Sequence, residues 1–473
     1  MATDSKFDVI VIGGGPAGAT AALRARELGA SVALVERSLL GGTCTNDGCV
    51  PTRVLAKAAR LMRDARQFAE YGLDAPLPTV DFERIVHRAQ EVVYQVHEKK
   101  QLLGHLEALN IVVLHRAGES QFVDPHRIRL GDGQELSAEK FILCVGGRAR
   151  HLDLPGAEFA MLPSDVWKMN RLPASVAIVG SGATGCQLAS IFHAFGTQVT
   201  LMDIAPRLLP PEDALVSEIV SAEFENRGIE IITGIEGLSR IEQQADRLAL
   251  VFNAGGREHG RPVEQVILSV GWPGNIDALN LPAAGVAVNR GYIQVDDSLR
   301  TSVAHIYAAG DITGRMMLVQ TASDQGRIAA ENAVLDLDKI DTMGAIPHGG
   351  FTDPEYASVG LTEAQALEGG DCVVAVVPYA DLDRAVIDGH AVGACKLIVD
   401  RETHQVVGAH VAGEQAVEVV QIVTAAIAGG MRIEQIAEIE FAYPTFAAII
   451  GLAARQLARE LNAVPIAPHW RAL

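Results

Sequence analysis

Along the first forty residues the hydrophobic pattern changes period twice. The run "FDVIVIGGG" is continuously apolar until it stops at glycines; "PAGATAALRARELG" places small apolar residues in a helical rhythm; "SVALVER" returns to a strand. This order predicts a βαβ unit with a glycine turn between its first strand and its helix. The same order recurs in "SVAIVGSGATGCQLASIFHAFGTQVTLMD". Between the copies lie a helical region, about 53–104, and the alternating segments "IVVLHRAGESQFV", "HRIRL" and "KFILCVGG"; "RHLDLPGAEF" reads as a linker. After "QVILSVGWPGN" comes the strand-and-turn stretch "GYIQVDDSLRTSVAHIYAAGDITG", whose glycines and aspartate suggest a nucleotide contact. From about 348 onward strands such as "ACKLIVD" and "QVVGAHVAG" alternate with apolar helices such as "AVEVVQIVTAAIAGG". That pattern predicts an α+β domain with a large apolar face, a candidate dimer interface.

The chain has 473 residues, enough for two to four domains, and is 49% apolar and 21% charged, as expected of a globular enzyme. A formal charge of −19 repels phosphate backbones and anionic lipid, so neither nucleic acid nor a membrane surface is expected as a partner. The start "MATDSKFDVIVIGGG" matches neither a signal peptide nor a membrane span, and a cytoplasmic location is expected.

Three glycines in each βαβ copy occupy dinucleotide-fingerprint positions: Gly13, Gly15 and Gly18 in the first, Gly180, Gly182 and Gly185 in the second. The first allows the tight turn, the second lets backbone approach a pyrophosphate, and the third lets helix and strand pack closely. An acid follows 18 residues beyond the third glycine in both copies, Glu36 and Asp203, at the end of the second strand where a carboxylate accepts from ribose hydroxyls. Two such copies predict two dinucleotides. The aspartate repels a 2′-phosphate, with only Arg207 nearby to compensate, so NADH is expected over NADPH.

Six cysteines are present, and only Cys44 and Cys49, with four residues between them in "GGTCTNDGCVPTR", are close in sequence. In a reducing compartment such a pair is expected to be catalytic or metal-binding rather than a structural staple. Cys49 stands just before "PTRVLAKAARL", where proline marks a helix N-terminus whose partial positive charge lowers a thiol pKa. Cys144, Cys186, Cys372 and Cys395 read as core packing. No resident metal is expected.

Taken together, the first fingerprint with Glu36, "GGTC" and "GCVPT" at 41–52, "CVGGR" at 144–148, the second fingerprint, "YAAGDITG" at 307–314 and "FTDPEYASVGLTE" at 351–363 resemble the disulfide-reducing flavoproteins: dihydrolipoamide dehydrogenase, glutathione reductase and mercuric reductase. The resemblance covers essentially the whole chain. It implies an α/β fold with two Rossmann-like dinucleotide-binding domains and a C-terminal α+β dimerisation domain. These would occupy 1–150 and 277–347 for FAD, 151–276 for NAD(P), and 348–473 for homodimerisation. It implies FAD held by the first fingerprint, Glu36 on its ribose and Asp311 on its ribityl chain, with Gly146 and Gly271 also at cofactor contacts. Cys49 would be the thiolate beside the flavin and Cys44 the exchange thiol facing substrate.

The chain departs from the family pattern at three places. Arg53 stands where the family usually has lysine and Gln187 where it has glutamate, a pair that lies beside the reacting flavin nitrogen; the fork of Arg53 and the neutral Gln187 change that charge arrangement. Thiol–disulfide members carry H-P-T-x-x-E near the C-terminus, contributed across the dimer, whereas this chain reads "YPTFAA" at 443–448, with Tyr443 for histidine and Ala448 for glutamate. A tyrosine with pKa near ~10 is a poor base at neutral pH. Mercuric reductase resembles this arrangement, but no cysteine follows Cys395 in this sequence, where that enzyme uses a C-terminal cysteine pair, and no N-terminal metal-binding module is expected. The tail "APHWRAL" offers His469 and Trp470 and reads as a frayed terminus.

The expected function is an FAD-dependent NADH oxidoreductase whose Cys44–Cys49 couple reduces a soft metal ion, quinone or unusual disulfide. Two alternatives stand beside it: a dihydrolipoamide dehydrogenase with an altered proton path, and a non-catalytic flavin redox sensor.

Overall fold

A computed structural model describes residues 5–342 and 344–463, and His469 and Trp470 lie outside the described residues. The chain divides into two compact units: one of segments 5–54, 84–150 and 271–342, the other of 55–83, 151–270 and 344–463.

The first unit is built on a seven-stranded sheet in the order Val112–His115, Val32–Glu36, Ser5–Ile12, Glu135–Leu143, Arg127–Arg129, Gln121–Asp124, with Ile306–Ala308 also paired to Glu135–Leu143. Strands Val112–His115, Val32–Glu36, Ser5–Ile12, Glu135–Leu143 and Ile306–Ala308 run parallel, and the last two in the order antiparallel. The first strand reads as a continuous apolar run because both of its faces are covered. Val9 and Val11 join a core with Ala17, Ala21 and Ala25, while Ile10 and Ile12 join another with Phe122 and Phe141. The alanine-rich helix Pro16–Glu27 packs along helix Val319–Leu335 at backbone distance: a Cβ on Gly326 would sit 2.2 Å from the carbonyl oxygen of Ala17.

The second unit holds three sheets. A parallel four-stranded sheet runs Gln265–Leu268, Ser175–Val179, Gln198–Met202, Glu230–Ile232. Beside it is an antiparallel three-stranded sheet of Gly237–Gln244, Arg247–Ala254 and Arg257–Val263, which the sequence pattern did not announce; the two share a core that includes Val179, Leu250, Phe252 and Val266. A five-stranded antiparallel sheet runs His348–Gly350, Tyr356–Gly360, Val406–Ala412, Ala394–Asp400, Cys372–Pro378. It packs with helices Ala416–Ala428 and Ala448–Glu460 around a core of small and branched residues that includes Cys395. Cys144 and Cys186 are likewise buried, as their apolar context predicts, and Cys372 is half-buried. No helix among the described residues is long and apolar enough to cross a membrane.

Candidate functional site

The two fingerprints fold alike, bond for bond. In the first unit the amide of Gly13 donates to Val35 at 2.7 Å and that of Cys144 to Ile12 at 2.7 Å; in the second, Gly180 donates to Met202 at 2.7 Å and Ser269 to Val179 at 2.7 Å. Gly13 (φ +105°) and Gly180 (φ +102°) take a left-handed backbone, and a Cβ would lie 2.3 Å from the Cys144 oxygen or 2.1 Å from the Ser269 oxygen. At Gly18 and Gly185 a Cβ would fall 1.7 and 1.8 Å from the carbonyl oxygens of Gly13 and Gly180, so only glycine lets each helix start so close to its turn. The middle glycines differ. A Cβ on Gly182 would meet nothing within 4 Å, and one on Gly15 only the Cα of Gly42 at 3.6 Å. Each thus leaves room for a ligand at the N-terminus of a helix, Pro16–Glu27 or Ala183–Ala194, where backbone amides favour a phosphate.

Each acid is fixed by its own fingerprint. Glu36 accepts from the amide of Gly14 at 2.8 Å and from that of Ser38 at 2.8 Å; Asp203 accepts from the Ser181 amide at 2.5 Å, the Ser181 hydroxyl at 2.7 Å and the Ala205 amide at 2.8 Å. Arg207 Nη2 donates to the carbonyls of Pro210 and Glu212 at 2.8 and 2.7 Å.

Cys44 lies in the short helix Gly42–Asn46 and Cys49 opens helix Cys49–Arg66, so a tight turn brings the two thiols close enough to shift each other's titration. This interaction raises the Cys44 thiol well above its ordinary value, and burial adds to the rise. It lowers Cys49 to about 7, together with the Cys49 backbone amide, against opposition from desolvation and the Asp311 carboxylate. Asp311, at the start of the turn Asp311–Thr313, is itself raised by burial. Arg53 lies four positions after Cys49 in the same helix and hence on the same face. Gly146 (φ +67°) has open space where a side chain would be, its carbonyl accepts from the Asn275 amide at 3.0 Å, and Gly271 (φ +110°) accepts from the amide of Arg150 at 3.0 Å.

Several positioning residues carried no recognisable signal in the sequence. Gly42 (φ +63°) passes so near the fingerprint that a Cβ would lie 2.8 Å from the Cα of Gly15, which ties the cysteine turn to the first dinucleotide loop. The Asn46 amide donates to Leu40 and Gly42 carbonyls at 3.1 and 3.0 Å, His97 Nε2 bonds Asn46 Oδ1 at 2.8 Å, and Lys100 Nζ donates to Thr45 Oγ1 at 3.2 Å. Helix Phe82–Lys100 thereby anchors the turn, and the charge of Lys100 partly offsets the rise at Cys44.

In the second unit Gln187 is held as a spacer: its Nε2 donates to the Ala183 carbonyl at 2.8 Å and its Oε1 accepts from the Phe351 amide at 3.1 Å. Tyr443 is 76% exposed, and its hydroxyl donates to Asp383 Oδ2 at 2.5 Å. This hydrogen bond and the carboxylate charge both raise the phenol above its ordinary value. Ala448 opens helix Ala448–Glu460 and supplies no carboxylate.

Residues 7–326 match the profile of the pyridine nucleotide-disulphide oxidoreductases, and 346–454 match the dimerisation domain of the same group. The chain belongs to the pyridine nucleotide-disulphide oxidoreductase family. It is similar to mercuric reductase of Staphylococcus aureus, 32% identical over 464 residues (97% of this chain, 84% of that protein). It is also similar to dihydrolipoyl dehydrogenase of Zymomonas mobilis, 33% identical over 450 residues (93% and 95%). Among solved structures it matches the HOCl-induced flavoprotein disulfide reductase RclA of Escherichia coli at a TM-score of 0.84 and 27% identity, over 95% of this chain and 99% of that one. A Cu(II) complex of the same flavoprotein matches equally, at 0.84.

Membership makes the protein an FAD-containing oxidoreductase that uses a pyridine nucleotide, in a family whose typical redox centre is a disulfide. The residues present fit both cofactors: each fingerprint leaves a glycine-lined opening at a helix N-terminus, next to a carboxylate already fixed at the end of the second strand.

Proposed function

We propose that the protein is an NADH-dependent flavoprotein whose Cys44–Cys49 couple delivers electrons to a soft metal ion, a quinone or a non-standard disulfide, working as a cytoplasmic homodimer. In this reading FAD is held by Gly13, Gly15, Gly18, Glu36, Gly146 and Asp311, and NADH by Gly180, Gly182, Gly185, Asp203 and Gly271. Residues 1–150 and 277–347 would serve FAD, 151–276 the nicotinamide cofactor and 348–473 the dimer. Bound FAD would supply a two-electron relay between nicotinamide and sulfur.

The observation that carries this reading is the placement of two thiols in one turn, Cys44 in the short helix Gly42–Asn46 and Cys49 at the first position of helix Cys49–Arg66. The influence of Cys44 on Cys49 lowers the Cys49 thiol and favours its thiolate, while Cys44 is pushed up and held protonated. Oxidation of the dithiol to the disulfide releases two electrons and two protons. A quinone or a disulfide takes up both; a mercuric ion takes up the two electrons alone, or two cupric ions one each, and the protons are left to water. A soft acceptor also matches the softness of sulfur. The RclA complex with Cu(II) makes copper one metal to include among candidates.

Among these acceptors Tyr443 favours the metal ion, which takes up no proton. Its hydrogen bond to Asp383 holds the phenol proton more firmly, the reverse of what a base at neutral pH requires. NADH preference is supported by Asp203 at the ribose position and by Arg207 being engaged with backbone carbonyls. Identity of 33% to dihydrolipoyl dehydrogenases supports the second reading, lipoamide turnover by another proton path.

A panel of lipoamide, glutathione disulfide, mercuric ion, cupric ion and quinones, each with NADH and NADPH, tests the assignment. Faster reduction of a metal ion or quinone than of lipoamide supports it. Lipoamide turnover exceeding all others transfers the chain to the second reading.

A further inference from the structure

Within the second unit a cavity of about 230 Å³, open on one side, is lined by the C-terminal ends of three helices and the loop at 351–353. Its walls are of two kinds. Ile191, Phe224, Ile229 and Phe351 provide apolar surface, and Arg60, Arg63, Arg66 and Arg227 provide guanidinium groups.

Three of the four arginines are already neutralised. Arg60 pairs with Glu355, Arg63 with Asp64, Asp353 and Glu414, and Arg227 with Glu223 and Asp353. The Asp353 carboxylate, which also lines the cavity, is thereby spoken for. Arg66 has no carboxylate partner among the described residues. Nor is it needed to cap a helix. At the end of Ala183–Ala194 the carbonyls of Ile191, Phe192 and His193 already accept amides of the following residues, and at the end of Ala214–Arg227 those of Phe224 and Glu225 do so. Arg66 is therefore the one guanidinium of the cavity wall left without a carboxylate, and it stands beside an apolar hollow. His193 lies within reach of two of these groups: burial, then the charges of Arg66 and Arg227, lower its pKa.

From this juxtaposition we propose that the cavity is a binding site for a small carboxylate with an apolar body, its anionic group on Arg66 and its hydrocarbon against Phe224 and Phe351. A carboxylate matches the fork of the one guanidinium that has no carboxylate partner. The site touches the support of the second fingerprint. The amides of Phe351 and Asp353 donate to Gln187 Oε1 and Ser190 Oγ at 3.1 Å each, so the loop that walls the cavity is bonded directly to the second fingerprint helix.

The test is calorimetric titration of the FAD-loaded enzyme with benzoate, with benzamide as the uncharged isostere and inorganic phosphate as the anion without an apolar body. Arg66 is exposed, so Arg66→Ala should keep its fold and flavin, and unchanged melting temperature and flavin content verify this. Saturable benzoate binding, weakened by about tenfold or more in Arg66→Ala as expected for losing a hydrogen bond to a charged group, and weaker binding of both benzamide and phosphate, support the site. No benzoate binding at millimolar concentration, equal binding of benzamide or phosphate, or an unchanged affinity in Arg66→Ala overturns it. Because binding is read directly, the result is independent of which electron acceptor the enzyme uses.

Discussion

The hydroxyl of Tyr443 donates to Asp383 Oδ2 at 2.5 Å. A phenol bonded to a carboxylate keeps its proton to higher pH, and the shift at Tyr443 is upward. Tyr443→Phe should therefore change NADH-driven lipoamide reduction by less than about tenfold, where loss of a working acid–base group costs roughly 10²–10⁴. A pH–rate comparison checks this, and a drop of two orders of magnitude with loss of a neutral-range limb would make Tyr443 the shuttle.

The thiols should titrate separately. In the reduced enzyme Cys49 is expected to become alkylated with a midpoint near about 7, and Cys44 only at much higher pH. Cys44→Ala removes the leading cause of the Cys49 depression, so the Cys49 midpoint should move up. Peptide mapping of alkylation rate against pH reads both values.

Nicotinamide choice should rest on Asp203, whose carboxylate is held by Ser181 and Ala205. Removing its charge in Asp203→Asn should raise the NADPH-to-NADH ratio of kcat/KM by about tenfold or more, the equivalent of roughly 1.4 kcal/mol. Arg207 stays committed to backbone carbonyls, so full reversal is not expected.

Lys396 and Asp213 form an ion pair at 2.7 Å with side chains only 7% and 2% exposed, and Lys396 also meets Glu363 at 2.6 Å. Lys396→Met leaves a buried carboxylate without its cation and should cost about 3–5 kcal/mol at neutral pH in urea unfolding. Burial raises the Asp213 pKa, but the Lys396 bond and two backbone amides outweigh it, and the net shift is downward from 3.8. A depressed carboxylate stabilises above its unfolded pKa and loses that contribution as pH falls through its folded pKa. The gap between wild type and Lys396→Met should therefore narrow as pH drops below about 4. A gap that stays constant with pH would remove Asp213 from the explanation.

Backbone-driven features were the ones legible in the sequence. Gly13, Gly18, Gly180 and Gly185 are imposed by contacts of about 2 Å that no side chain survives, so the fingerprint spacing encodes the geometry directly. The cysteine turn was legible for the same reason, through its flanking glycines and Pro51. Its anchors were not: His97 and Lys100 sit about fifty residues away in sequence, on a helix whose pattern shows only amphipathicity. Asp383 was invisible because a tyrosine's partner across sixty residues leaves no periodic trace. The sheet over 237–263 was passed over because strand Arg257–Val263 is polar and largely exposed, and so carries almost no hydrophobic alternation. The grouping of 55–83 with later segments comes from long-range packing, such as Phe82 against Phe192 and Phe195, that local pattern does not contain.

The central claim, that electrons leave through the sulfurs of Cys44 and Cys49, is tested most directly by anaerobic NADH titration of the FAD-loaded enzyme with thiol counting. Wild type should accept two electron pairs per chain and expose two additional titratable thiols, whereas Cys44→Ser should accept one pair and expose none. Uptake of a single pair by wild type, with no new thiols, would contradict the account.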